Sequence, residues 1–151
     1  KEDILGKVSR KIPSIMDYKL HIANGSMYNT PPVFAVYTSM LTLEWIKNLG
    51  GIAKIEEMNE KKARVMYSEI DLNPLFNGFA TKEDRSFMNA TFTLQNENLK
   101  ETFETMLKEA GISGLNGHRS VGGYRASMYN ALPLESVKAL VEVMSELESK
   151  A

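Results

Sequence analysis

Cysteine is absent from the 151 residues. That excludes disulfides, thiolate metal sites and cysteine nucleophiles, and it fits a reducing compartment. Neither sign of charge is in excess: 18 Lys+Arg stand against 19 Asp+Glu, for a formal net charge of −1. Binding to nucleic acid or to an anionic membrane through bulk charge is therefore not expected. No apolar run is long enough to span a bilayer. The two histidines, His21 and His118, lack carboxylates at a matching spacing, so no metal site is expected. Serine-elbow, Walker and dinucleotide glycine motifs are also missing. What remains is an ordinary globular composition, 43% hydrophobic and 25% charged, long enough to bury one core. The chain opens on Lys1-Glu2-Asp3 rather than methionine, and the expectation is either a removed tag or a piece of something longer.

Residues 1–30 give no firm element; His21 beside a loop reads as a surface histidine. From Pro32 the residues Val33, Phe34, Val36, Tyr37, Met40, Leu41, Leu43, Trp45, Ile46 and Leu49 are apolar on nearly every face. The run is too long for a strand, opens on proline and stops at Gly50-Gly51, so a mostly buried helix over about 32–48 is predicted, with Trp45 in the core. A second helix is read from Ile52, Ile55, Asn59, Ala63, Met66 and Ile70, with Glu56-Glu57 and Glu60-Lys61-Lys62 as its solvated face. Asn73-Pro74 breaks the chain. Strands are predicted over 76–81 and 87–94, around the polar turn Lys82–Arg85, because Ala90, Phe92 and Leu94 alternate with Thr91 and Thr93. Asn98 and Glu101 resemble a capping box for a helix whose stripe is Leu99, Phe103, Met106, Leu107 and Ala110. A strand near 124–129 and a last helix from Leu134, with Val137, Leu140, Val141, Met144 and Leu147 on one face, complete the chain. The order predicts a layered α+β domain, helices packed on a mixed or antiparallel sheet.

The least ordinary stretch lies between Gly111 and Asn130. Five of the ten glycines fall within thirteen residues, and no acid occurs between Glu109 and Glu135, where His118, Arg119 and Arg125 lie. Arginine grips carboxylate or phosphate in a two-pronged fork, and glycine lets the backbone come close to an anion. One reading is a pocket for a small molecule with two anionic groups. The other is a glycine-rich hairpin whose arginines pair with acids on neighbouring helices. The residues alone leave both open. A second candidate is Tyr28-Asn29-Thr30-Pro31-Pro32, where the chain enters a helix whose first N–H groups are free. Asn29 and Thr30 add side-chain donors, which makes a phosphate seat one reading. The commoner outcome for such a sequence is that Thr30 merely caps the helix.

The string His118-Arg119-Ser120-Val121-Gly122-Gly123-Tyr124-Arg125-Ala126-Ser127-Met128-Tyr129-Asn130-Ala131 resembles the C-terminal signature of the phosphoserine aminotransferase family. So does Gly25-Ser26-Met27-Tyr28-Asn29-Thr30-Pro31-Pro32 upstream, and the flanks Lys1–Gly6, Trp45-Ile46-Lys47 and Pro133–Leu140 agree. The resemblance implies the C-terminal small domain of a fold-type-I aminotransferase that uses pyridoxal 5'-phosphate. Residues 1–30 would then lead from a larger domain and include the cofactor-phosphate loop, and residues 31–151 would form the small domain. It further implies a cytoplasmic homodimer that moves an amino group between L-glutamate and 3-phosphohydroxypyruvate, with phosphoserine and 2-oxoglutarate as products. By resemblance Asn29 and Thr30 would bind the phosphate of the cofactor held in the partner subunit. Arg125 would grip the substrate α-carboxylate, and His118 and Arg119 its distal phosphate or the side-chain carboxylate of glutamate; Tyr124 receives no role. The family's Schiff-base lysine lies upstream of the segment that residues 1–6 resemble, so no catalytic residue is expected in these 151, which should be inactive alone. The competing expectation is a free-standing α+β module that binds a small anionic ligand for regulation.

Overall fold

The computed structural model describes residues 2–119 and 121–151. Lys1 and Ser120, both quoted in the resemblance above, lie outside the described residues. The chain divides into two units, residues 1–45 and 46–151.

In the first unit, short 3-10 turns at Glu2–Ile4 and Ser14–Met16 precede helix α1, Tyr18–Ala23. Asp17 caps α1 by accepting from the Lys19 N–H at 3.0 Å. His21 is half-buried rather than free at the surface. Its Nε2 lies 2.8 Å from the Ile15 carbonyl oxygen, and its ring meets Tyr28 edge-on at 5.6 Å. Helix α2 runs Val33–Asn48, and the division between the units falls inside it. The helix is where the sequence placed it, but it is not buried: no α2 residue is, Phe34 is 79% exposed and Trp45 39%. The expectation of a core Trp45 is therefore overturned. Apolar composition records what a surface would like to touch, not what covers it.

The second unit holds helices α3 (Gly51–Leu72), α4 (Lys100–Glu109) and α5 (Leu134–Lys150), and strands β1 (Phe76–Gly78), β2 (Asn89–Leu94) and β3 (Tyr124–Ser127). The strands form one antiparallel sheet in the order β1-β2-β3, with Asn77 opposite Thr93 and Thr91 opposite Arg125. Alternation then sorts the side chains. Phe76, Ala90, Phe92, Leu94, Tyr124 and Ala126 face the core, whereas Asn77, Thr91, Thr93 and Arg125 share the other face. The core face is covered by Met66 and Ile70 of α3, Phe103 and Leu107 of α4, and Val137, Leu140, Met144 and Leu147 of α5. At its centre Phe103 stands edge-on to Tyr124 at 5.1 Å, and Phe92 stacks on Tyr124 at 5.5 Å.

Two local expectations change, and the polar turn gains an anchor. The cap before α4 is Asn96, whose side chain accepts from the Asn98 N–H, and a 3-10 turn over Glu97–Leu99 precedes the helix. The polar turn after β1 is anchored: Arg85 grips Asp71 with a fork at 2.9 and 2.6 Å and lies over the Tyr67 ring. Lys62, assigned to a solvated face, is 1% exposed. It lies three residues past buried Asn59 and four before buried Met66, so it shares their stripe on α3.

Candidate functional site

After α4 the chain turns at Gly111 and runs back antiparallel to the start of β3. Arg125 donates its N–H to Leu115 O at 2.6 Å, Asn116 bridges to Tyr124, and Gly117 donates to Gly123 O at 2.9 Å. The N–H groups of Val121 and Gly122 both donate to the His118 carbonyl, at 2.9 and 2.8 Å. Two glycines are required by crowding alone. A Cβ on Gly117 would lie 2.0 Å from the Gly122 carbonyl oxygen, and one on Gly123 would lie 2.6 Å from that of Phe92. His118 and Arg119 follow directly on this close approach, and both side chains are exposed.

His118 and Arg125 line the same small cavity, about 110 Å³, with Thr91, Thr93 and Phe79. Thr91 is there because it stands opposite Arg125 in the ladder. A neighbouring cavity of about 540 Å³ takes in His118, Arg119, Glu97, Lys100 and Glu104. The structure therefore places all three predicted cations on one loop-and-strand unit and brings His118 and Arg125 to a common wall. Among the described residues, neither Arg119 nor Arg125 takes part in an ion pair. The hairpin reading required arginines paired with helix acids, so its distinguishing feature is not met. Thr91 was missed by the sequence reading. Its alternation with Ala90 and Phe92 was visible, but its partner strand, thirty-odd residues away, was not.

Tyr124 borders both cavities, is 5% exposed, and has a hydroxyl without a hydrogen-bond partner among the described residues. Burial, and then the carboxylates of Glu104 and Glu97, push its pKa up to about 12. An unfolded tyrosine ionises near 10, so between pH 10 and 12 the folded chain keeps a proton that the unfolded chain loses. Stability must therefore fall as pH rises through that window. In Tyr124→Phe we expect this alkaline loss, measured by chemical unfolding, to shrink by up to about 3 kcal/mol. At pH 7 the same variant should be as stable as the parent or slightly more so, because no hydrogen bond is lost. A loss above about 1 kcal/mol at pH 7 would mean that the hydroxyl has a partner.

In the first unit, Asn29 and Thr30 are exposed and precede the prolines that lead into α2. Neither side chain makes a hydrogen bond among the described residues, so Thr30 is not the helix cap. An amide and a hydroxyl with unengaged donors, just ahead of a helix start with its positive dipole end, suit the phosphate end of a cofactor. Among the described residues, no helix is long and apolar enough to cross a membrane.

Against this geometry stand the similarities to known proteins. The family model described as aminotransferase class-V matches residues 5–140. The chain is 67% identical over 150 residues to the phosphoserine aminotransferase of Flavobacterium psychrophilum, covering 99% of this chain and 42% of that protein. It is 51% identical to that of Bacteroides fragilis, covering 98% and 42%. A solved phosphoserine aminotransferase from Bacillus circulans subsp. alkalophilus superposes with a TM-score of 0.84 at 39% identity, over 99% of this chain and 42% of that one. A PLP-bound phosphoserine aminotransferase from Trichomonas vaginalis gives 0.77 at 39% identity, over 91% and 40%. The chain thus spans about two fifths of the length of the relatives it matches.

Proposed function

The chain belongs to the aminotransferase class-V family, and on that premise we propose that it is the C-terminal part of a phosphoserine aminotransferase, a cytoplasmic homodimer. The full-length enzyme would exchange the amino group between L-glutamate and 3-phosphohydroxypyruvate, giving O-phospho-L-serine and 2-oxoglutarate. The observation that carries this reading is the shared wall of His118 and Arg125, two side chains able to hold an anion around one cavity, with no ion pair for Arg125 among the described residues. Every amino acid and oxo acid in the exchange has an α-carboxylate, and each substrate has a second anionic group at its other end. Arg125 takes the first and His118 with Arg119 the second, each as a charge-assisted hydrogen bond. Thr91 adds a hydroxyl beside Arg125 that orients the carboxylate without adding charge. Asn29 and Thr30 hold the cofactor phosphate in the partner subunit. Pyridoxal phosphate, when bound, supplies the electron sink for the exchange. This chain's part is to bind and orient, and residues 1–30 serve as the approach to the small domain at 31–151.

The test uses the full-length enzyme. Arg125→Leu should weaken glutamate and phosphoserine alike, by about 1.5–3 kcal/mol in kcat/KM. His118→Ala should harm phosphoserine more than an amino acid with an uncharged side chain. Equal losses across all substrates in both variants would show that the two ends have been assigned wrongly.

A further inference from the structure

Beyond β3 the chain leaves the sheet, and its next three residues are gripped from α3. Lys62 Nζ donates to the carbonyl oxygens of Met128 at 3.0 Å and Tyr129 at 2.7 Å. One turn earlier, Asn59 donates its side-chain amide to Asn130 Oδ1 at 2.9 Å. Both α3 residues are buried, Lys62 at 1% and Asn59 at 4% exposure. Burial pulls the Lys62 ammonium below the ordinary lysine pKa. A buried ammonium is a costly way to fill space that methionine would fill as well, so its use here calls for a geometric reason. The segment it holds supplies one. β3 has only four residues, ends the sheet on its side, and carries Arg125 three residues before Met128. Its N-terminal end is fixed by the close approach of Gly123 to Phe92. Its C-terminal end is fixed by Lys62 and Asn59, together with the Met128 N–H on Met88 O at 2.7 Å.

We propose that Lys62, with Asn59, is a positioning residue for substrate binding: by holding the carbonyls of Met128 and Tyr129 it sets where along the sheet β3, and so the Arg125 guanidinium, comes to rest. The proposal rests on the reading of Arg125 as the carboxylate clamp. A two-pronged grip tolerates little displacement, because an error of about 1 Å in a binding group costs on the order of a hundredfold. Lys62 touches no substrate and acts only through Arg125. Its loss should therefore appear in KM for every substrate, since all share the α-carboxylate, and not in kcat.

The test is a double-mutant cycle in the full-length holoenzyme, with Lys62→Met, Arg125→Leu and the pair. Lys62→Met should raise KM for glutamate and phosphoserine together by about tenfold, the scale of a few tenths of an ångström of drift. kcat should stay within about twofold and the cofactor absorbance unchanged, and the double variant should be no worse than Arg125→Leu alone. Leu147→Ala, a core change on α5, should lower the melting temperature without raising KM. Asn130→Ala, which removes only the Asn59 contact, should show the same KM pattern more weakly, and it serves if Lys62→Met does not fold. Lys62→Arg, which keeps charged donors, should restore part of the KM. If Arg125→Leu itself leaves KM unchanged, the clamp assignment is wrong. If Arg125→Leu raises KM while Lys62→Met or Asn130→Ala only lowers the melting temperature, or if the effects of Lys62→Met and Arg125→Leu add, the positioning role is wrong.

Discussion

Gly117→Ala should force the backbone at Gly117 and Gly122 apart while leaving the helical core folded. The added methyl carbon would sit 2.0 Å from the Gly122 carbonyl oxygen, 2.9 Å from its carbon and 3.0 Å from the Gly123 oxygen. All three obstacles are backbone, so no side chain can swing away to make room. The two sides of the hairpin must part by an ångström or so, and the Gly117 N–H to Gly123 O bond goes with them. Overpacking of this kind costs about 1–3 kcal/mol or more. Gly114→Ala is the proper comparison. A methyl group there meets nothing within 4 Å and suffers only from a φ of +78°, about 1–2 kcal/mol. Amide chemical shifts should change through 115–125 in Gly117→Ala and stay put along α5. In the full-length enzyme, on the roles proposed for His118 and Arg119, Gly117→Ala should weaken both at once, on the order of a hundredfold in affinity for the phosphorylated substrate. Similar losses for the two glycine variants would show that crowding does not hold the turn.

Phe103→Ala should be the most destabilising change among the described core residues. Phe103 is fully buried and lies 5.3 Å from Phe76 and 5.1 Å from Tyr124, ring centre to ring centre. Truncating a buried phenylalanine costs about 3–5 kcal/mol through lost transfer free energy and the cavity left behind. That is a large share of the roughly 5–15 kcal/mol that holds a domain together. The ring also backs Tyr124, the residue beside Arg125, so the loss reaches the site through β3. The urea midpoint should fall accordingly, whereas Phe79→Ala, at a ring 64% exposed, should shift it by less than about 0.5 kcal/mol equivalent. A fall of under about 1 kcal/mol for Phe103→Ala would show that the neighbouring rings collapse into the gap.

The second unit was largely legible because its burial is periodic. Ile55, Asn59, Ala63, Met66 and Ile70 fall on one face of α3, and Ala90, Phe92 and Leu94 on one face of β2, as their spacing implies. Where the reading failed, residue character was weighed above position. Charge groups Lys62 with its neighbours Glu60 and Lys61, although its position puts it on the buried stripe between Asn59 and Met66. Trp45 and its helix were placed inside because they are apolar, and hydrophobicity does not say which surface will cover them. The cation cluster was visible as a composition anomaly, an acid-free stretch, and needed no knowledge of the fold. Thr91 beside Arg125 and the Lys62 grip on Met128 are contacts across 34 and 66 residues. Local pattern carries no trace of such pairings.

The antiparallel ladder has an evolutionary consequence. Because Tyr124 and Arg125 point to opposite faces of β3, a one-residue deletion or insertion between Gly123 and Met128 would exchange them. It would drive a guanidinium into the aromatic core and put a phenol on the face that Arg125 now occupies. Drift in this lineage can therefore substitute residues along β3 but cannot change its length, whereas a length change after Asn130, beyond the residues held from α3, leaves the alternation along β3 as it is.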